Sequence, residues 1–219
     1  ATTVAFVPEK GWFWYIPLPD NVVSVGVVAE KEYLYRESRD LKEIFEAQVR
    51  QNRWIEEHIS AGEQFGPHYV TAEFSYRTRH CAEDGLVLCG DAFGFLDPVF
   101  SSGVFLALRS GEMVADAVDG ALTAGDVSAG RFRGYAAELA EGIEAMRKLV
   151  YAFYNPGFSF KDFLMEFPHM KGDLTDCLIG NLYRDFKPMF AAMAKFAAVP
   201  DPVPHGAPLE KEVGAAALQ

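Results

Sequence analysis

"GLVLCGDAFGFLDPVFSSGVFLALRSGEM", residues 85–113, joins a short apolar run, a loop and the start of an apolar helix. The run at 85–90 is typical of a strand buried on both faces. Apolar residues after the loop recur at helical spacing and predict a helix to about residue 119. Strand, loop and helix thus follow the order of an α/β nucleotide site, with Gly90 and Asp91 at the sheet edge where such folds bind ligands.

The two ends of this loop offer groups that suit different ligands. Asp91 supplies a carboxylate that can accept hydrogen bonds from sugar-like hydroxyls, although a Gly-Asp pair is also an ordinary turn. Ser101, Ser102 and Gly103 precede the helix, where free backbone N–H groups and the positive end of the dipole favour an anion. Gly103 allows close approach of a ligand to the backbone. The alternative is that Ser101 or Ser102 merely caps the helix.

Alternating and helical periodicities predict the remaining elements. These are antiparallel strands over 2–36, a helix over 41–59, a strand over 68–80, and helical segments over 128–153 and 155–198. Asp40 and Glu43 make a capping pair for the first of these helices. The aromatic side chains of 155–198 are expected to be mostly core. The proline-rich end, 199–219, is expected to be disordered.

Composition and charge narrow the function classes. The chain has 219 residues, half of them hydrophobic, and a formal net charge of −11. It is long enough to bury a core, and its acidity argues against nucleic acid or an anionic membrane as the main partner. No apolar run is long enough for a membrane span, and three cysteines without CxxC spacing suit a reduced, cytoplasmic protein. The five histidines lack ligand spacing, so no metal site is expected.

Two motifs in this chain match patterns of one enzyme family. Residues 85–118 resemble the second FAD-binding segment of class A flavoproteins of the hydroxylase type. Within that superfamily, the WxWxIP pattern of flavin-dependent halogenases is matched by Trp12, Trp14, Ile16 and Pro17. Their FxxPxxSxG pattern is matched by Phe95, Pro98, Ser101 and Gly103. The resemblance covers about residues 1–150, and the chain is most similar to the halogenases that act on phenols or pyrroles.

The resemblance implies roles for these residues. Contacts to FAD are implied for Gly90, Asp91, Phe95, Pro98 and Gly103. A catalytic part is implied for the motif residues Trp12, Trp14, Ile16, Pro17, Phe95, Pro98 and Ser101. A halide held near the flavin would use the N–H groups of Ser102 and Gly103, which agrees with the anion site expected at the helix start.

The tryptophan pair has a geometric expectation of its own. Trp12 and Trp14 are two positions apart on a predicted strand, so both rings point to the same face. Two large apolar rings there can wall off a tunnel or keep substrate away from the flavin. Ordinary core packing is the alternative.

For the fold, the resemblance implies an α/β (α+β) protein with a partial FAD-binding fold of the aromatic-hydroxylase type. It would have an antiparallel substrate-domain sheet and a helical C-terminal region. The regions expected along the chain are part of the substrate-domain sheet plus a helix at 1–80, the second FAD-contacting segment at 81–125, the helical region at 126–198 and the disordered end at 199–219.

For function, the resemblance implies halogenation of an electron-rich phenol or pyrrole, either free or held on an acyl or peptidyl carrier protein. The reaction would use O2, chloride or bromide, and FADH2 from a separate flavin reductase. No GxGxxG motif occurs, and the family's lysine upstream of WxWxIP has no counterpart, since Lys10 does not match. We therefore expect a carboxyl-terminal part of a longer enzyme that lacks turnover by itself. Alternatives are an aromatic hydroxylase or isoprenoid-chain reductase of the same fold, and a noncatalytic binding module.

Overall fold

The computed structural model of the chain describes residues 2–7, 11–72, 74–181 and 184–210. The chain forms two compact units, Ala1–Ala72 and Glu73–Gln219. Both combine helices with short β-strands, which confirms the α/β (α+β) prediction. Lys10 and residues 211–219, which figured in the sequence expectations, lie outside the described residues.

The first unit is a three-stranded antiparallel sheet with helices packed on one face. Its elements are β1 (Thr3–Val7), β2 (Gly11–Pro17), β3 (Val23–Ala29), α1 (Lys31–Leu34), α2 (Leu41–Val49) and α3 (Arg53–Ile59). β2 lies in the middle, paired antiparallel with β1 and β3. Phe13 of β2 is fully buried against Val49 and Ile55 of the helices, so one sheet face forms the core of this unit.

The helix predicted over 41–59 is interrupted, and Asn52 is the reason. Asn52 has an extended backbone, and its side-chain oxygen accepts the N–H of Ile55 at 3.1 Å, which starts α3. Its amide nitrogen donates to the Phe6 carbonyl oxygen at 3.0 Å, tying the break to β1. The capping prediction for Asp40 is confirmed, because its carboxylate accepts the N–H of Glu43 at 3.0 Å.

The second unit contains two small sheets and a set of packed helices. Its strands are β4 (Tyr76–Arg77), β5 (His80–Glu83), β6 (Leu86–Val87), β7 (Gly94–Phe95) and β8 (Ala207–Pro208). Its helices are α4 (Gly103–Thr123), α5 (Arg133–Tyr154), α6 (Phe160–Glu166), α7 (Lys171–Leu178) and α8 (Lys187–Met193). β4 pairs antiparallel with β7, while β5 pairs antiparallel with β6 and parallel with β8. The helices predicted near 104–119 and 128–153 correspond to α4 and α5.

Two hydrophobic clusters stabilise this unit. One joins α4, α5 and β5 around Phe93 and Leu139. The other joins the end of α5 to α6, α7 and α8 around Phe163, Met189 and Met193. The seven phenylalanines of 155–198 pack in or against this second cluster, which confirms that they are mostly core. Burial of such side chains is the main term that holds short helices together.

Two strand predictions are wrong in extent. Among the described residues of 68–80, which exclude residue 73, extended pairing is limited to β4 and the first residue of β5. In 85–90, only Leu86 and Val87 form a strand, and Leu86 is 55% exposed. β6 lies at the edge of its sheet, so its apolar run is not buried on both faces.

The prediction of a disordered end is wrong for residues 199–210. β8 pairs with β5, and the Leu209 N–H donates to the Ala82 carbonyl oxygen at 2.7 Å. The Gly206 N–H donates to the Thr78 carbonyl oxygen at 3.0 Å. Prolines reduce the conformational entropy that a segment loses on ordering, so few contacts are needed to hold it in place. Composition indicates the prolines but not their tertiary partners.

Candidate functional site

β2 carries all four residues of the first motif. Trp12 is 4% exposed and Trp14 is half-buried, and their ring centroids lie 6.3 Å apart with planes inclined by 60°. The prediction that both rings share a face is confirmed. Ile16 is half-buried on the same strand, and exposed Pro17 ends it before a turn.

The orientation of Trp14 depends on two small residues of β3. Its indole N–H donates to the Ser24 hydroxyl at 3.1 Å. Gly26 pairs with Trp14 across the strands, and a Cβ at Gly26 would lie 2.1 Å from the indole ring. The ring therefore lies over a position that only glycine can occupy without displacement. Sequence reasoning missed both residues, although "SVGVV" places small residues at alternate positions of a valine-rich strand.

The loop that carries the second motif begins with a 3₁₀ turn, Gly90–Ala92, which follows β6. Gly90 has a left-handed φ of 54°, and its N–H donates to the Ser110 hydroxyl of α4 at 2.8 Å. Asp91 is exposed, and its backbone carbonyl accepts a hydrogen bond from the Tyr76 hydroxyl. The Asp91 carboxylate is thus held at the surface on a turn anchored to α4.

Phe95 lies on β7, opposite Tyr76 of β4. Its ring stacks on that of Phe74, with centroids 5.1 Å apart and planes 26° apart. Between the turn and β7, Phe93 is fully buried. The loop therefore alternates between an exposed Asp91, a buried Phe93 and a half-buried Phe95, which anchors its middle in the core.

Pro98 begins a second 3₁₀ turn, Pro98–Phe100. Asp97 starts this turn by accepting the N–H of Val99 at 2.9 Å, and it also accepts the Tyr154 hydroxyl at 3.1 and 3.2 Å. Ser101 follows in the left-handed region with a φ of 53°, which is uncommon for a serine. Because α5 ends at Tyr154, the helical region contacts the motif directly.

Ser102 and Gly103 stand at the start of α4. Ser102 is buried, and within the described part of the chain its hydroxyl makes no capping hydrogen bond. The first N–H groups of a helix have no acceptor within the helix. A Cβ at Gly103 would meet the Phe95 ring at 3.5 Å, an ordinary contact. Because its hydroxyl makes no such bond, Ser102 does not cap α4 through its side chain, contrary to the capping alternative.

These groups fit a flavin dinucleotide. The exposed carboxylate of Asp91 suits hydroxyl groups, and the uncapped start of α4 suits a negative charge. The left-handed Gly90 brings the backbone against α4, where a Cβ would contact Ala107 at 3.4 Å.

In the residues the structure describes, no group of His, Cys, Asp and Glu could hold a metal ion. None of the helices there has the length and apolarity to cross a membrane.

The three cysteines are free, with Cys81 and Cys177 buried and Cys89 exposed. Burial raises the pKa of the Cys177 thiol to about 12, and it also raises that of Cys81. Thiols with raised pKa values hold little nucleophilic thiolate at neutral pH. The two buried cysteines therefore serve packing.

The family model described as tryptophan halogenase matches residues 1–157. The chain is similar to the 1H-pyrrole-2-carbonyl-(peptidyl-carrier protein) chlorinase of Pseudomonas fluorescens, with 30% identity over 181 residues that cover 82% of this chain and 40% of the relative. It is also similar to the corresponding brominase of Pseudoalteromonas luteoviolacea, with 33% identity over 133 residues that cover 57% of this chain and 31% of the relative.

Among solved structures, the flavin-dependent brominase Bmp2 superposes with a TM-score of 0.74 at 27% identity. The match covers 89% of this chain and 48% of the brominase. The chain thus spans less than half the length of these relatives, and within that span both motifs are present.

Proposed function

Because the chain belongs to the tryptophan halogenase family, we propose that the protein halogenates an electron-rich aromatic ring with FADH2, O2 and a halide. Relatives named as pyrrolyl-carrier chlorinase and brominase support a pyrrole on an acyl or peptidyl carrier protein, and chloride or bromide as the halide. A phenol, or a free ring, is the other substrate that the motif resemblance implies. A separate flavin reductase would supply the FADH2. The three free cysteines support a cytoplasmic setting.

In this proposal the loop from Gly90 to Gly103 holds the flavin. The Asp91 carboxylate accepts hydrogen bonds from ribityl hydroxyls, and Gly90 lets the turn lie close to α4. Phe95 and Pro98 contact the ring region, with Gly103 leaving the helix start accessible. The segment 81–125 is then the FAD-contacting region, and 126–198 is the helical region that supports it.

The halide site is proposed at Ser102 and Gly103. The observation that carries it is the start of α4, where a buried serine occupies the capping position without capping, directly after the left-handed Ser101. N–H groups at a helix start attract an anion through their partial positive charge. The left-handed backbone of Ser101 leads the chain into the start of α4, so this motif residue positions the halide site.

The tryptophan pair is proposed as an apolar wall. Trp12 is buried and Trp14 is fixed by Ser24 and Gly26, so neither ring is free to rearrange. Together with Ile16 and Pro17 they make a rigid apolar strand. Such a surface excludes water from an electrophilic halogen and keeps the aromatic substrate away from direct oxidation.

The proposed halogenation balances in atoms and electrons. Reduced flavin and O2 supply the two-electron oxidation that converts a halide ion into an electrophilic halogen. An electron pair of the aromatic ring forms the new carbon–halogen bond, and the ring then loses a proton. Overall, the arene, halide, O2, FADH2 and one proton yield the aryl halide, FAD and two molecules of water.

The test uses the full protein encoded by the gene, with a flavin reductase, NADH, FAD and either chloride or bromide. Phenols and pyrroles, free and as carrier-protein thioesters, are analysed by mass spectrometry. A halogen isotope pattern that depends on added halide is expected. Oxygenated or saturated products formed without halide would overturn the proposal in favour of the hydroxylase or reductase alternative, and absence of any turnover would favour the binding module.

The halide site is tested by Gly103→Ala, with Gly111→Ala as the matched control on the same helix. A methyl at Gly103 fits beside Phe95 but covers the helix start, whereas nothing lies within 4 Å of a Cβ at Gly111. Gly103→Ala is expected to raise the halide KM about tenfold, which corresponds to ~1.4 kcal/mol of lost binding. Equal halide KM values in the two variants would place the halide elsewhere.

A further inference from the structure

Residues 199–210, here called the strap, pack against the buried side of the loop that begins at Gly90. The contact centres on Phe93, which is fully buried. Gly206 has a left-handed φ of 68°, and a Cβ there would lie 2.5 Å from the Phe93 ring. The His205 ring meets the same phenylalanine edge to face, with centroids 5.7 Å apart. Two consecutive strap residues thus enclose a loop side chain that lies fully in the core.

Backbone hydrogen bonds connect the same two segments through Thr78. Its N–H and its hydroxyl both donate to the Phe93 carbonyl oxygen, at 3.1 and 2.9 Å. Its own carbonyl oxygen accepts the Gly206 N–H at 3.0 Å. Thr78 therefore bridges Phe93 and Gly206, so a shift of the strap is transmitted to the loop through both the ring and the backbone.

The strap is itself anchored to α5 by a buried ion pair. Glu144 and Arg147, whose side chains are 9% and 8% exposed, lie 2.7 Å apart at their closest charged atoms. Arg147 donates to the Asp201 carbonyl oxygen at 2.6 Å, and Glu144 accepts the Val203 N–H at 3.1 Å. One backbone acceptor and one backbone donor of the strap are thereby satisfied by charged groups, which make the stronger class of hydrogen bond.

The buried surroundings of His205 favour the neutral imidazole. Burial lowers the pKa of His205, attraction by Glu144 opposes this, and Arg77 and Arg147 lower it further. Burial alone would raise the pKa of Glu144, but hydrogen bonds from Arg147 and Val203 hold it below its ordinary value. His205 is thus kept neutral and Glu144 ionised, the charge states that suit the strap packed against α5.

We propose that the strap is a positioning element for the flavin loop, and that Gly206 and His205 are positioning residues that act through Phe93. The FAD contacts of this loop rest on the proposed function above. Gly90 is held to α4 by Ser110, and the strap holds the next buried point along the loop. Asp91, which is exposed and lies between these two points, is consequently fixed in space.

The test is hydrogen exchange of the full chain, comparing Gly206→Ala with the matched control Gly125→Ala. Both glycines have a left-handed φ, 68° and 64°, but only the Cβ at position 206 meets Phe93. The amides of Ala92 and Phe93 donate within the 3₁₀ turn and serve as reporters. Gly206→Ala is expected to raise their exchange rates about tenfold or more relative to the α5 amides. A tenfold increase corresponds to a decrease of ~1.4 kcal/mol in the free energy of local opening.

A milder variant keeps the proposal falsifiable if Gly206→Ala unfolds the unit. Thr78→Val removes the hydroxyl that donates to Phe93 with little change in volume. We expect faster exchange at Ala92 and Phe93 with α5 unchanged. Two results would overturn the proposal. In one, Thr78→Val exchanges these two amides at the wild-type rate. In the other, Gly206→Ala exchanges them no faster than the control Gly125→Ala does.

FAD titration of the same variants, made in the full protein encoded by the gene, separates this proposal from the proposed function. If the wild type binds FAD, Gly206→Ala is expected to raise Kd by about tenfold or more, as displacement of a binding group from a remote site does. Unchanged FAD affinity with a mobile loop would overturn the positioning role. A wild type that binds no FAD would count against the proposed flavin site, while the exchange rates still decide whether the strap holds the loop.

Discussion

β2 and the loop from Gly90 to Gly103 both carry a motif, but they are held in different ways. On β2, Trp14 is fixed by partners on the next strand, including Ser24 only ten positions away. The loop is fixed by distant segments: Tyr154 bonds Asp97 across 57 positions, and the strap contacts Phe93 from the far end of the chain. The strand motif depends on local pairing, whereas the loop motif depends on long-range packing.

The largest effect is expected from breaking the long-range anchor. Arg147→Ala removes the closer cationic partner of the buried Glu144 carboxylate and leaves it Arg77 at 3.5 Å. Breaking a buried pair in this way costs up to about 3–5 kcal/mol. The matched control is Arg53→Ala, because the Arg53 side chain pairs with Glu57 while 89% exposed, and exposed pairs contribute about 0.5 kcal/mol. Urea unfolding followed by circular dichroism of the helices measures both.

The tryptophans make this experiment sharper. All three, Trp12, Trp14 and Trp54, lie in the first unit, so their fluorescence reports on that unit, while α4 and α5 dominate the helical signal. Arg147→Ala should shift the circular dichroism transition further than the fluorescence transition. Equal shifts would contradict the separation between local and long-range support.

A smaller effect is expected on the locally held motif. Gly26→Ala places a methyl where the Trp14 ring lies, so the ring must rotate and its bond to Ser24 breaks. Such overpacking costs about 1–3 kcal/mol, and the near-ultraviolet circular dichroism of the tryptophan pair should weaken. As a control, Gly134→Ala on α5 meets nothing within 4 Å, and it should stabilise by about 0.5–1 kcal/mol. An unchanged tryptophan spectrum in Gly26→Ala would show that β3 does not orient Trp14.

The smallest effect is a pH dependence of the strap. Because the pKa of His205 is lower in the folded chain than its ordinary 6.5, the unfolded chain binds the proton more readily. The stability from a neutral His205 is therefore present above pH 6.5 and is lost as the pH falls through the lowered pKa. The lowered pKa of Glu144 acts in the same direction below its ordinary 4.5.

His205→Phe tests this assignment because it removes the titrating group and retains a ring against Phe93. Wild-type stability should fall from pH 7.5 to 5.5 more steeply than that of the variant, as measured by urea midpoints. Parallel curves would assign the acid sensitivity to other groups.

Prediction from sequence succeeded where short-range rules apply. Asp40 caps α2, the two motif tryptophans share a strand face, and the loop of Gly90 leads into a long helix because these features depend on neighbours along the chain. The matched motif patterns indicated the family from residue identity alone. The sequence was misleading where an apolar run or an alternation was short, since β6 turned out to be a partly exposed edge strand.

The remaining features needed the tertiary structure. Composition predicted a disordered end at 199–210, because prolines and few large side chains usually lack enough apolar surface to order a segment. The strap is ordered because Arg147, Glu144 and Thr78, all remote in sequence, supply hydrogen bonds to its backbone. A buried backbone group is stable only with a partner, and that partner exists only after the chain has folded. Residue types and local spacing therefore determined the motifs and their elements, whereas long-range packing decided how the loop from Gly90 to Gly103 is held.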